Sequence, residues 1–283
     1  MVKGGFILKL LNEEYIKQAI PVREKNSYKG NFGKLLFVGG NEQMGGAIIM
    51  SASAAVYSGA GLVTVASAPV NVHALHTRIP EAMFIDMYDL DTLASMIKKM
   101  DGVVIGPGLG RDDRAIDVMN TVLKALTEDQ FIIIDGDAIS IYVNELLDHP
   151  DAHLIFTPHL GEWKTLSNMG PDKENLQDNI QKQKELNAIV ILKKGQSEIY
   201  FEDEVWQNIP GNPSMATGGM GDTLAGMIAG FIGQFETYKK GILSAVFLHS
   251  KIANTLAETY YVTLPTAIID HIPKTMKGYT NPN

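Results

Sequence analysis

Short apolar runs closed by glycine recur along this chain, and most are followed by a stretch of helical character. In Gly33-Lys-Leu-Leu-Phe-Val-Gly-Gly40 a nearly continuous apolar run sits between glycines, the pattern of a strand buried on both faces. A helix is expected from about Gly46 to Ser58, rich in alanine and small residues that allow close packing, and Gly59-Ala-Gly61 ends it. Leu62-Val-Thr-Val-Ala66 reads as the next strand. Further strands are expected at 83–87, 102–106, 131–135 and 153–157, with helical patterns between most of them. Strand and helix in alternation predict an α/β fold with a mainly parallel central sheet and helices on both faces.

The texture changes after Gly195. Ser197–Phe201 and Val205–Ile209, separated by the acidic turn Glu202-Asp-Glu204, predict a β-hairpin. Beyond Gly219 the chain reads as mostly helical, with a long helix near 238–258 and a last one near 265–277. Residues 12–26 read as a short helix and linker. No repeat, low-complexity tract or Pro/Ser-rich linker divides the 283 residues, so one domain over 1–283 is expected. Its N-terminal helix and linker would fill 1–28, and its tail from Gly278 to Asn283 is expected to be loose.

Composition removes several classes of function. A formal charge of −8 argues against a nucleic-acid surface, which needs a basic footprint. Cysteine is absent, so there is no disulfide framework, thiolate nucleophile or cysteine metal site. The opening Met-Val-Lys-Gly-Gly-Phe-Ile-Leu-Lys-Leu-Leu lacks the apolar length and the cleavage site of a signal peptide. No window approaches the roughly 18 apolar residues of a membrane span; 223–233 comes nearest and is too short. A cytoplasmic protein with no membrane contact is expected.

The chemistry gathers at expected strand ends, where ligands collect in a doubly wound sheet. Gly39-Gly40, Gly106-Pro-Gly-Leu-Gly110, Asp135-Gly-Asp137, Thr157-Pro-His-Leu-Gly-Glu162 and Lys193-Lys-Gly195 each close one. The richest stretch is Gly211-Asn-Pro-Ser-Met-Ala-Thr-Gly-Gly-Met-Gly-Asp222, ahead of an apolar helix expected from Thr223 to about Phe235. Glycines 211, 218, 219 and 221 are expected to take positive φ and turn their amides inward, making with the helix dipole an anion site. Asp222 at that end is either a helix cap or a base beside a phosphate; capping alone does not call for so many glycines. Asp135 and Asp137 either hold a Mg²⁺–phosphate complex or cap the helix that follows. His159 is either a loop residue or, with Glu162 three residues on, a ligand contact.

Other signatures fail. Gly106-Pro-Gly-Leu-Gly-Arg111 is either a ligand loop or merely a tight strand-to-helix turn; it is not a dinucleotide fingerprint, since Arg111 holds the sixth position. There is no G-x-x-x-x-G-K-[ST] loop, no H-E-x-x-H and no G-x-S-x-G elbow. The remaining histidines, at 73, 76, 149, 153, 249 and 271, form no metal-ligand spacing.

Taken together, these motifs carry a resemblance. Lys29-Gly-x-x-Gly-Lys-x-Leu-x-x-Gly-Gly40, Gly59-Ala-Gly-Leu-Val-Thr-Val-Ala66, Pro80-Glu-Ala-Met83, Gly106-Pro-Gly-Leu-Gly110, Asp135-Gly-Asp-Ala138, Thr157-Pro-His-x-Gly-Glu162, Leu192-Lys-Lys-Gly195 and Asn212-x-x-Met-Ala-Thr-Gly-Gly-x-Gly-Asp222 run in the order of the ADP/ATP-dependent NAD(P)H-hydrate dehydratases. The chain resembles that ribokinase-like family from about residue 29 to about 260. The last motif is shared with ribokinase-like kinases, whereas Pro-Glu-x-Met and Thr-Pro-His are more particular to the dehydratases.

The resemblance implies a ribokinase-like domain that repairs hydrated NADH or NADPH. ADP or ATP, with Mg²⁺, would phosphorylate the added ring hydroxyl, and loss of phosphate would restore the double bond. Single-domain bacterial members generally use ADP and release AMP. Asp222 would be the base, with Gly219 and Gly221 stabilising the moving phosphoryl group. Ala47, Gly108, His159 and Asp222 would contact the hydrate. Lys194, Gly195, Gln196, Ser197, Glu198 and Gly221 would contact the adenylate. No protein metal ligand is implied, and relatives commonly form homo-oligomers, which suggests a homotetramer. Gly136 and Leu160 depart from the family's usual Ala and Pro, and the epimerase domain fused in some relatives is not expected here. A ribokinase-like kinase of a hydroxymethylpyrimidine, thiazole or sugar would share Asp222, and a non-catalytic adenylate-binding protein is a second rival.

Overall fold

The computed structural model describes residues 8–169 and 175–280. Its strands form a single sheet whose order, with strands numbered along the chain, is β1-β10-β9-β8-β7-β6-β5-β2-β3-β4. They are β1 Leu8–Leu10, β2 Lys34–Val38, β3 Leu62–Ser67, β4 Met83–Asp86, β5 Gly102–Ile105, β6 Phe131–Ile134, β7 His153–Phe156, β8 Ile189–Leu192, β9 Glu198–Tyr200 and β10 Val205–Gln207. All adjacent pairs are parallel except those made by β9, which runs against both neighbours.

The central strands are mostly apolar because both faces are covered. In β2, Leu35 and Phe37 enter one core while Leu36 and Val38 enter the other. In β6 the same alternation sends Phe131 and Ile133 one way, Ile132 and Ile134 the other. The first core is closed by α1 Glu13–Ala19, α2 Gly45–Ser58, α3 Val72–Arg78, α9 Met220–Ile232, α10 Tyr238–Ala257 and α11 Pro265–Tyr279. The second is closed by α4 Leu90–Ile97, α5 Asp113–Ala125, α6 Asp137–Asn144, α7 Leu160–Ser167 and α8 Leu176–Leu186.

The small residues of α2 have a packing reason. A Cβ on Gly226 of α9 would lie 1.9 Å from the Ser51 carbonyl oxygen, and one on Gly230 would lie 2.9 Å from Ser58 Cβ. Ser51, Ala52, Ala54, Ala55 and Ser58 are buried. Met227, Ile228 and Phe231 of α9 are fully buried beside them, each worth about 1.5–3 kcal/mol of transfer free energy.

Four expectations need correction. β1 was not foreseen: it has three residues, at the sheet edge, and exists because it pairs with β10 while Lys9 meets Glu204. The helix expected at Thr223 begins at Met220, so Asp222 lies inside its first turn and Gly219 is the cap. Of the four loop glycines only Gly219 takes positive φ, at 95°. The tail is not loose from Gly278: Gly278 and Tyr279 belong to α11, and buried Tyr279 meets Phe247 edge-on with ring centroids 6.3 Å apart. Residues 281–283 lie outside the described residues.

Candidate active site

Chain order reverses between β2 and β5, since β2, β3 and β4 step outward one way and β5 to β8 the other. The loops leaving that pair therefore part above the sheet, and a crevice opens at their carboxyl ends. Its walls are tied together: the Gly40 amide donates to the Pro107 carbonyl at 2.9 Å and the Asn41 amide to Gly108 at 2.7 Å. Gly39 cannot carry a side chain, because a Cβ there would sit 2.3 Å from the Pro107 oxygen. The crevice is a cavity of about 500 Å³ lined by Ala47, Gly108, Arg111, Asp137, Glu162 and Asp222, among others. A second cavity of about 610 Å³ adjoins it, mostly apolar, with Met215, Met220, Leu224 and Val246 along its walls. The end of the glycine loop and the first turn of α9, Gly218 to Asp222, separate them: Gly218, Gly219 and Asp222 face the first, Met220 and Gly221 the second.

That loop opens α9. Thr223 is the first residue whose amide bonds back within the helix, to the Gly219 carbonyl at 3.0 Å. The amides of Met220, Gly221 and Asp222 precede it and are free to meet an anion, with the helix dipole behind them. Among the described residues no side chain caps this end. Burial pushes the Asp222 carboxyl up to about 6, and the negative charge of Asp135 adds to that push, while Lys193 opposes it.

Strand alternation builds the ground beneath the loop. Ile133 of β6, Ile155 of β7 and Ile191 of β8 all enter the core under α9, so Asp135, Thr157 and Lys193, each two residues further on, emerge on the same face. They meet there. Thr157 Oγ1 donates to Asp135 Oδ1 at 2.7 Å, and Lys193 Nζ donates to the same oxygen at 2.8 Å. Glu162 Oε2 lies 4.0 Å from Lys193 Nζ. Burial alone would lower the Lys193 pKa; Asp135 and Glu162 outweigh it, and the ammonium is held charged. Burial raises Glu162, with Lys193 opposing. A Cβ on Gly221 would stand 3.1 Å from Lys193 Nζ, so the bare glycine lets the ammonium reach the loop. In α10, His249 is 5 % exposed, its Nε2 without a hydrogen-bond partner among the described residues, on the wall of the apolar cavity. Burial first, and Lys193 second, bring its pKa down to about 4, so it is neutral.

The residues singled out in the sequence fall into place unevenly. Ala47, Gly108, Gly219 and Asp222 share the first cavity. Lys194, Gly195, Ser197 and Gly221 share the second. Gln196 is exposed and lines neither; Glu198 is buried, accepting from the Tyr200 hydroxyl at 2.5 Å and paired with Lys194 at 2.6 Å. His159 caps α7: its Nδ1 accepts from the Gly161 amide at 2.9 Å, and Glu162 Oε2 accepts from the His159 amide at 2.7 Å. Glu162, not His159, lines the cleft. Neither Asp135 nor Asp137 caps the following helix, whose cap is Gly136. Lys193 has no role in the sequence reading beyond its strand-end stretch, although the period-two pattern of β8 places it on the face of Ile191. Arg111 was noted only for spoiling a fingerprint. No group of three or more His, Cys, Asp or Glu suited to a metal ion occurs among the described residues.

Comparisons with known proteins bear on the fold and the family. A solved ribokinase-like superfamily protein from Enterococcus faecalis superposes with a TM-score of 0.95 at 41% identity, covering 100% of this chain and 99% of its own. The ADP/ATP-dependent NAD(P)H-hydrate dehydratase of Bacillus subtilis, crystallised with ATP and Mg²⁺, gives a TM-score of 0.86 at 26% identity, with 96% and 99% covered. In sequence, the ADP-dependent (S)-NAD(P)H-hydrate dehydratase of Listeria monocytogenes is 48% identical over 92% of this chain and 94% of its own length. The profile of the NAD(P)H-hydrate dehydratases matches residues 35–274. That match over most of the chain, with these identities, shows that this chain belongs to the NAD(P)H-hydrate dehydratase family.

Proposed function

We propose that this protein is a lyase that dehydrates hydrated NADH or NADPH, using ADP in preference to ATP and releasing AMP. One observation carries the reading: Asp222 stands where the open cleft meets the apolar cavity, with unbonded amides and the Lys193 ammonium beside it. The apolar cavity suits an adenine ring, and its end at Lys193 and Gly221 suits the phosphates. The nicotinamide ring lies in the cleft over Ala47 and Gly108.

The steps follow from the residues. Asp222 accepts the proton of the ring hydroxyl, whose oxygen attacks the terminal phosphorus of the nucleotide. The amides of Met220 and Gly221 and the Lys193 ammonium meet the charge on the transferred oxygens. Phosphate is a far better leaving group than hydroxide. It departs with the C–O bonding pair, the neighbouring ring carbon gives up a proton, and the ring double bond returns. Mg²⁺ would be held mainly by the nucleotide phosphates and water, with Asp135 and Glu162 as the protein carboxylates that would help hold it; Asp135 Oδ2 has no hydrogen bond among the described residues. When bound, the ion neutralises phosphate charge.

The test is to incubate hydrated NADH with ADP or ATP and follow the return of nicotinamide absorbance together with AMP. Recovery with ADP supports the reading. No recovery, with a phosphorylated vitamin precursor formed instead, replaces it with a kinase. We further propose a cytoplasmic homotetramer. The exposed apolar stretch Tyr260, Tyr261, Val262 and Leu264, with Tyr261 98% exposed, supports a subunit contact. Among the described residues no helix is long and apolar enough to cross a membrane. A monomer in sedimentation would refute the assembly.

A further inference from the structure

The cleft that holds Asp222 is lined by three carboxylates, Asp137, Glu162 and Asp222, and by one basic side chain, Arg111. A hydrated dinucleotide carries a pyrophosphate bridge one riboside away from the reacting ring. A cleft of this charge repels that bridge unless a cation meets it.

Arg111 is held in a way that suits the task. Its Nε donates to Asp137 Oδ1 at 2.7 Å, and Asp137 Oδ2 accepts from the Gly110 amide at 3.0 Å. The guanidinium plane is thereby set from its inner edge. Its two terminal nitrogens have no partner among the described residues, and the side chain is 61% exposed. An oriented planar fork with open N–H groups matches phosphate oxygens in a way a lysine does not. The neighbouring Arg114 is already committed: it stacks 3.3 Å from the centroid of Tyr88 and pairs with Glu42 at 3.1 Å.

We propose that Arg111 grips the pyrophosphate bridge of the hydrated dinucleotide and so sets the preference for a dinucleotide over a bare riboside. Asp137 is its positioning residue. The proposal rests on the function given above and deepens it.

The experiment compares hydrated NADH with hydrated reduced nicotinamide riboside, which has the same ring and no phosphate, each with ADP. Arg111→Met is expected to raise KM for hydrated NADH about ten- to hundredfold, the usual scale of a lost charge-assisted pair. KM for ADP and for the riboside should stay within about twofold of wild type, and Arg111→Lys should fall between. Where the riboside turns over too slowly, its inhibition constant against hydrated NADH reads the same contrast. An equal loss on both substrates would mean that Arg111 serves phosphoryl transfer or merely braces the loop, and would overturn the proposal. Unchanged KM for hydrated NADH would overturn it too. A wild-type protein inactive on hydrated NADH would instead remove the functional reading beneath it.

Discussion

Asp222 is surrounded by groups that work against its charge, and its protonation should show in both activity and stability. Burial and Asp135 raise its pKa from 3.8 to about 6. A base must be ionised, so kcat/KM should fall as pH drops below about 6. Asp222→Asn should lower kcat by about 10²–10⁴-fold while calorimetry finds ADP affinity nearly unchanged. The linkage has the opposite sign. A carboxyl raised in the folded state favours folding below its unfolded pKa, and that contribution is lost as pH rises through about 6. Asp222→Asn should therefore be more stable than wild type at pH 8, by on the order of 1–3 kcal/mol, with the difference fading toward pH 4. Lys193 makes a second case. Lys193→Met strands Asp135, which is 2% exposed, without its cation, at a cost of about 3–5 kcal/mol in denaturant unfolding. Adding Asp135→Asn should restore most of the stability and none of the turnover. Recovered turnover would remove Lys193 from phosphoryl transfer.

At the scale of elements, the contact between α2 and α9 sets how the glycine loop is presented. Gly226→Ala puts a methyl group 1.9 Å from a backbone oxygen, so the helices must part; a loss of at least about 2 kcal/mol and weaker nucleotide binding are expected. Gly218→Ala meets nothing within 4 Å and needs no positive φ, so its melting temperature should be unchanged or slightly raised. Equal losses for the two would show that loop flexibility, not helix approach, is what glycine serves here. The strands were readable because parallel strands covered on both faces form nearly continuous apolar runs, as β5 and β6 do throughout and β2 does after Lys34. β1 was not, since three residues with outward-facing leucines carry no such signature. The start of α9 was misplaced because glycines at 219 and 221 look like loop in a sequence, whereas Gly221 is helical and bare to admit Lys193.

At the scale of the whole molecule, the two cavities share one floor, and a ligand in either should stabilise the fold. ADP at a hundred times its Kd should add about 2.7 kcal/mol, seen as a rise of several degrees in melting temperature. Asp222→Asn should keep that rise, because Asp222 faces the cleft and not the apolar cavity. A rise abolished by this variant would place Asp222 in nucleotide binding.

The order of apolar runs and helical stretches, read along the chain, was enough for the α/β class, the mainly parallel sheet, the hairpin after Gly195 and the glycine loop before Asp222. These are local properties: strand burial, turn chemistry and helix ends are written in neighbouring residues. The partners inside the site were decided only by the tertiary structure. Asp135, Thr157 and Lys193 are far apart in the chain and meet because β6, β7 and β8 lie side by side and send these residues out on one face, with Lys193 opposite His159. The same folding left Arg111 braced by Asp137 over the cleft, whereas the contacts of Glu198 with Tyr200 and Lys194 and the His159 cap join near neighbours in the chain. A residue type and its position along the chain say what a side chain can do; which partner takes up its hydrogen bonds and charge depends on what the fold brings beside it.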